Sequence, residues 1–174
     1  MQTQPNISYR PQQVADAQAF MDILNHPDFI YFPVKVAKVE DEIAYLQSVQ
    51  VKSAQGLSYD FSILDGDKVI GAIGIKIDQH RKYIGEIGYF ISRDYWGRGV
   101  ATQAVRWIEQ WAFTTLKLTR ICILMQPENK ASEQVAIKTG YKLEGLLKNA
   151  IPTGDQSLVD AYLYAKTMYV SHPI

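Results

Sequence analysis

The sequence predicts a mixed α/β (α+β) fold with a sheet of about seven strands, in the order β-α-α-β-β-β-α-β-α-β-β. Three observations lead there. Short apolar runs bounded by Gly, Pro, Asn and Asp have the length and composition of strands. Between them, apolar residues recur at helical spacing. Finally, Trp96-Gly97-Arg98-Gly99-Val100-Ala101-Thr102 joins an apolar run directly to a helical one.

Residues 7–10 read as a short strand ended by Pro11. Residues 16–24 place Ala17, Phe20, Met21 and Leu24 on one face, a helix that stops at Asn25-His26-Pro27. A loop with Phe29, Tyr31, Phe32 and Pro33 follows, then a second helix over 40–50 with Ile43, Leu46 and Val49 on one side. Strands at 57–64 and 68–77 are joined by Asp65-Gly66-Asp67, a hairpin signal. After a polar turn, residues 83–91 form the next strand. The helix over 101–115 carries Ala101, Ala104, Val105, Ile108, Trp111 and Ala112 in a stripe, and Trp107 and Trp111 read as core packing. A strand at 118–125 precedes a helix at 131–138, where Gly140 suits a left-handed cap. Strands at 141–150 and 159–170, linked by Pro152-Thr153-Gly154-Asp155, close the chain. With no repeat or linker, one domain over 1–174 is expected, with its core between 7 and 170.

The 174 residues carry 18 lysines and arginines against 18 aspartates and glutamates. That balance gives no global attraction to nucleic acid or an anionic membrane, so neither is expected as a partner. No apolar run approaches the ~18 residues of a membrane span, and the first ten residues lack the apolar core of a signal peptide. A single cysteine, Cys122, cannot form an internal disulfide, which fits a cytoplasmic protein. It lies in Ile121-Cys122-Ile123-Leu124-Met125 and reads as a buried hydrophobe rather than a nucleophile. His26, His80 and His172 are scattered without metal-ligand spacing, so no metal is expected.

Two glycines two apart let the backbone turn sharply, here directly into a helix whose first amides have no internal partner. Such a terminus suits a phosphate or pyrophosphate; a tight turn without ligand is the plain alternative. The Rossmann pattern fails, because Thr102 fills the third small position and Lys117 and Leu118 stand where the ribose-binding acid belongs. A Walker loop fails as well, for no Gly-Lys-Ser/Thr triplet occurs.

Beyond that loop, the chain resembles the GNAT superfamily of acetyl-CoA-dependent N-acetyltransferases, and within it the ribosomal-protein N-terminal acetyltransferases. The resemblance runs from Tyr9-Arg10-Pro11, with Asp16 six residues after Arg10, to the terminal hairpin. Its sharpest parts are Glu86-Ile87-Gly88-Tyr89-Phe90-Ile91, the glycine loop, Asn129-Lys130-Ala131-Ser132, and Lys138-Thr139-Gly140-Tyr141-Lys142-Leu143-Glu144-Gly145. It implies a mostly antiparallel sheet, helices on both faces, and a fourth and fifth strand that splay apart. It also implies acetyl-CoA as cosubstrate and direct transfer to a primary amine, without an acyl-enzyme.

By the same resemblance, Trp96, Gly97, Arg98, Gly99, Val100, Ala101 and Thr102 form the pyrophosphate loop, with the backbone amides holding the diphosphate. Arg98 either meets the 3′-phosphate or is a solvated loop arginine. Main-chain groups of Tyr89 and Ile91 pair with the pantetheine arm. Asn129 contacts the cofactor, caps the following helix, or does both. Alternation puts Glu86, Gly88 and Phe90 on one strand face, and Glu86 is the candidate base, against a solvent-facing or salt-bridged glutamate. The superfamily's usual thiolate-protonating tyrosine falls at Ala136, so the common acid is missing. Ser132 matches the serine of the ribosomal-protein branch, as proton donor or hydrogen-bond partner of the thiol, against an exposed helix serine. Asp160, Tyr162 and the aromatic segment 29–32 are weaker candidates for the acceptor side. The acceptor is a protein N-terminus or a small-molecule amine (amino acid, polyamine or drug). A non-catalytic acyl-CoA-binding regulatory module is the alternative of a different class, and monomer and homodimer stay open.

Overall fold

The computed structural model describes residues 4–32, 35–154 and 157–168. Pro33, Asp155, His172 and the expected end of the last strand at Val170 lie outside them. The elements are β1 (Ile7–Pro11), α1 (Ala17–Leu24), α2 (Val39–Ala54), β2 (Ser58–Asp65), β3 (Lys68–Ile77) and β4 (Ile84–Ile91). Then come α3 (Val100–Thr114), β5 (Arg120–Met125), α4 (Lys130–Lys138), β6 (Lys142–Pro152) and β7 (Leu158–Thr167). The seven strands make one sheet in the order β1-β2-β3-β4-β5-β7-β6. β4 and β5 pair in parallel and the other neighbours are antiparallel. This is the mixed, mostly antiparallel architecture expected. No helix among the described residues is long and apolar enough to cross a membrane.

Period-two alternation sends successive side chains of each strand to opposite faces, and each face is covered by a helix pair. Ala72 of β3 packs with Ala17 and Phe20 of α1 and Leu46 of α2, and Phe90 of β4 joins them. On the other side, Ile73, Ile75, Ile87 and Ile121 pack against Ala104, Val105 and Ile108 of α3 and Ala136 of α4. Trp107 and Trp111 fill the outer part of this layer, Trp107 stacked on Tyr9 at 4.2 Å and Trp111 edge-on to Phe61 at 5.4 Å. The reading of both as core residues holds.

Several boundaries shift by a residue or more, and two of the shifts have clear local reasons. The second helix runs four residues past Gln50, through Ala54, although its last turn loses the apolar spacing. It stops where Gly56, at φ +66°, lets Leu57 N–H reach back to Lys52 O (2.9 Å). α4 ends by the same device at Gly140. There Tyr141 N–H donates to Ala136 O (3.0 Å), so that amide is unavailable to a ladder and β6 starts at Lys142.

The centre of the sheet opens. β4 and β5 pair only at Ile84↔Arg120, Gly85↔Ile121 and Glu86↔Cys122. β4 nevertheless stays paired with β3 as far as Ile91, and β5 with β7 as far as Met125. Each strand is thus held from its outer side while the inner edges part beyond Glu86. The helix N-termini of α3 and α4 stand at the wide end of this wedge, because both follow the C-terminal ends of parallel strands.

Candidate active site

Gly97 and Gly99 adopt φ +73° and +78°, and Gly99 caps α3 in the left-handed region. A Cβ at either position would meet no protein atom within 4 Å. Glycine is therefore demanded by backbone conformation, not by crowding from the protein. The first helical bond is Gln103 N–H to Gly99 O at 3.0 Å. The amides of Gly97, Arg98, Gly99, Val100, Ala101 and Thr102 meet no protein acceptor among the described residues. Six amides without a protein acceptor thus stand at the positive end of a fifteen-residue helix, an arrangement that suits an anion. Trp96 differs from its neighbours. Its amide donates to Arg93 O (3.0 Å) and its indole N–H to Ile91 O (2.7 Å), so it braces the loop and leaves no donor free. The Arg98 guanidinium lies 5.3 Å from the centroid of the Tyr95 ring.

The edge of β4 in the wedge follows from its register. Asp78 N–H donates to Ile84 O and Ser92 N–H to Ile70 O, one at each end of the β3–β4 ladder. Antiparallel bonding alternates, so the even-numbered residues of β4 direct N–H and C=O to β3 and the odd-numbered ones to the β5 side. Tyr89 and Ile91 lie past the last β4–β5 pair. Both amides and the Tyr89 carbonyl therefore line the wedge, whereas the Ile91 carbonyl is taken by Trp96.

Glu86 stands at the apex of the wedge, between Lys76 of β3 and Cys122 of β5. Glu86 is exposed, so the solvent-facing alternative describes its placement, although neighbouring protein atoms still desolvate it in part. Desolvation raises its pKa and Lys76 pulls it back. Along the same face, Gly88 leaves a smooth patch with no atom within 4 Å of a would-be Cβ. Asp60, in register with Gly74 and through it with Gly88, leans across: its Oδ1 occupies the space that a Gly74 Cβ would need. Burial raises the Asp60 pKa, while Ser58 Oγ (2.7 Å) and Lys52 act against it. Sequence reasoning missed Asp60, which stands out only once the β2–β3 register is known.

On the opposite face, Asn129 Oδ1 accepts the Ser132 N–H at 3.1 Å and so caps α4. Ser132 is half-buried, with its Oγ 2.9 Å from the Tyr89 hydroxyl. It is not an exposed helix serine. Burial pushes the Tyr89 hydroxyl up to about 12, with the Ser132 bond opposing. This phenol was also missed, since the sequence shows Tyr89 as a strand residue but not the helix that its side chain reaches. Ala136 is wholly buried.

The remaining candidates scatter. Asp160 is engaged by Lys148 Nζ (2.7 Å) and Asn149 N–H (3.1 Å) in the β6–β7 hairpin. Tyr162 lies under Lys130 Nζ, 5.7 Å from the ring centroid. Phe29 packs on Trp96 and Phe32 on Phe90, at 5.6 and 5.4 Å, which docks the aromatic loop beside the wedge. Phe29, Tyr31, Phe32, Gln126 and Thr153 line a recess of about 290 Å³ there. Cys122 is buried and its thiol pKa is raised by that burial, the wrong direction for a nucleophile.

The acetyltransferase (GNAT) domain family matches residues 6–142. The chain belongs to the GNAT acetyltransferase family. It is 31% identical over 147 residues to the ribosomal-protein-serine acetyltransferase of Escherichia coli (strain K12), covering 82% of this chain and 76% of that one. It is 28% identical to the uncharacterized N-acetyltransferase p20 of Bacillus licheniformis, over 91% of both chains. The RimJ structure of Mycobacterium smegmatis, solved with CoA-disulfide, superposes with a TM-score of 0.83 at 25% identity, over 92% of this chain and 81% of that one. A GNAT enzyme is an acyltransferase, and the resemblance to ribosomal-protein acetyltransferases extends through most of the chain.

Proposed function

We propose that this GNAT enzyme transfers an acetyl group from acetyl-CoA directly to a primary amine, with a protein N-terminus as the preferred acceptor. One observation carries the reading: free amides continue from the Gly97–Thr102 loop to the open edge of β4. A diphosphate needs the first set and an extended amide-bearing arm the second, so the residues present fit coenzyme A. In this reading Gly97, Arg98, Gly99, Val100, Ala101 and Thr102 hold the diphosphate through their main chain. Trp96 supports them from behind. Tyr89 and Ile91 pair with the pantetheine arm, and Asn129 holds it from the α4 side. A β4 amide aimed at the thioester oxygen would stabilise developing charge by about 2.7–4 kcal/mol.

Glu86 takes the proton that the attacking amine gives up. Its raised pKa and open side suit that task. The acceptor class follows partly from energetics. A chain-terminal amine deprotonates near pH 7.7–8.0 and a lysine near 10.4, so at neutral pH the lysine costs about 3.5 kcal/mol more. A single carboxylate open to water serves the terminal amine more readily. The test is mass spectrometry of products after mixing the enzyme, acetyl-CoA and a cell extract. Acetylated protein N-termini are the expected result. Acetylated small amines would move the acceptor to that class, and no transfer to any amine would leave a non-catalytic binding module instead.

A further inference from the structure

We infer that the Tyr89 hydroxyl, held by Ser132, donates the proton that the sulfur of coenzyme A takes up as the thioester breaks. The inference rests on the acetyl-transfer reading above. In that reaction an N–C bond forms and a C–S bond breaks. The nitrogen loses a proton to Glu86 and the sulfur must gain one, and Glu86 faces the other side of β4 from the helix pair α3 and α4.

The proton sources on the α4 side are few. The Tyr164 hydroxyl is spent on Glu133 (2.9 Å), and the Tyr141 hydroxyl is enclosed without a hydrogen-bond partner. Tyr89 is placed differently. Its main chain lies on the open edge of β4, and its side chain crosses to the first turn of α4, where its oxygen sits 2.9 Å from Ser132 Oγ. The hydroxyl pair thus spans from one wall of the wedge to the other. Ser132 is itself fixed, because Asn129 accepts its amide.

Each group does a distinct job. A phenol raised to about 12 stays protonated at neutral pH and always has a hydrogen to present. Ser132 can donate into the phenol oxygen while the phenol donates outward, which fixes the direction of the proton. After transfer the tyrosinate recovers its proton through Ser132 from solvent. The wholly buried Ala136, one turn further along α4, offers no proton.

Tyr89→Phe removes one oxygen and leaves the ring in place. We expect kcat to fall on the order of 10²-fold, with KM for acetyl-CoA changed less than about twofold, as for an interaction made only in the transition state. A second readout needs no turnover. In the complex with coenzyme A, the thiol is titrated by the ultraviolet absorbance of its thiolate, and in Tyr89→Phe it should ionise at higher pH than in wild type. Ser132→Ala should move both quantities the same way by a smaller factor. Unchanged kcat, an unmoved thiol titration, or a rise in KM alone would overturn the assignment and leave Tyr89 a packing residue. Calorimetry keeps the two claims apart: wild type that fails to bind coenzyme A sinks the acetyl-transfer reading, whereas normal binding and transfer with an inert Tyr89→Phe sinks only this one.

Discussion

Ionised Glu86 sits among protein atoms that raise its pKa, with Lys76 in the next strand pulling the other way. A base must be unprotonated to act, so kcat/KM should fall as pH drops through a value above that of an ordinary glutamate. Glu86→Gln should erase this acid limb and lower the rate at neutral pH on the order of 10²-fold; a full pH–rate profile of both forms checks it. The same desolvation means that ionisation at neutral pH opposes folding. Glu86→Gln should therefore melt at or above the wild-type temperature, a separation of activity from stability seen by thermal denaturation. Asp16 behaves oppositely. Burial raises its pKa, but Arg10 (2.6 and 2.7 Å), Ser62 Oγ (2.6 Å) and Gln13 N–H (2.9 Å) outweigh that and hold it below the usual carboxylate range. Its contribution is present above about pH 4, the unfolded value, and is lost as pH falls through the lower folded one. Asp16→Asn should cost about 3 kcal/mol in urea unfolding at pH 7, the low end for a buried pair because Arg10 is partly exposed and left short of its charge partner. The variant should also lose less stability than wild type on acidification. At this scale the sequence was legible where one strand suffices: period two placed Glu86 and Tyr89 on opposite faces. The Tyr89–Ser132 bond joins residues 43 apart and depends on how α4 settles on β4, which no local pattern encodes.

The turn from β4 into α3 was readable because its two glycines signal backbone conformation directly. Gly97 and Gly99 both occupy φ that other residues resist. Gly99→Glu should abolish coenzyme A binding by calorimetry, since it strains the cap and sets a carboxylate among the amides. Retained binding would refute the anion-site assignment. Asn129 shows a different limit of sequence reading. Its capping bond is visible in structure and in pattern alike, and Asn129→Ala should cost about 1 kcal/mol of stability for the lost cap. A cofactor contact through the same side chain would show as an added loss of affinity that the cap alone does not explain. Helix ends were less legible where they depended on glycine geometry rather than apolar spacing, as the four extra residues of α2 before Gly56 illustrate. Trp96 was counted among the loop's backbone donors, but its amide is spent on Arg93 O and its indole N–H on the Ile91 carbonyl, a tertiary contact that no local pattern encodes.

Across the whole molecule, β1 to β4 and β5 to β7 form two sub-sheets joined by three residue pairs and by the packing of α3 and α4. A ligand seated in the wedge would tie these halves together. At a hundredfold excess over its dissociation constant it should add about 2.7 kcal/mol, or roughly 5–10 °C in melting temperature for a chain of this size. Hydrogen exchange should slow most at the Tyr89 and Ile91 amides and least in β1 and β6; uniform protection would argue against insertion at β4. The mostly antiparallel sheet and its splayed fourth and fifth strands were implied by the family resemblance, whereas the strand order and the parallel β4–β5 pair came only with the structure, since alternation fixes faces but not partners. The three-pair seam has a consequence for the life of the protein. If coenzyme A fills the wedge, the sheet without it should open more readily along that line, and proteases cut what opens. Limited proteolysis across a series of coenzyme A concentrations should then trace a survival curve that rises as the wedge fills.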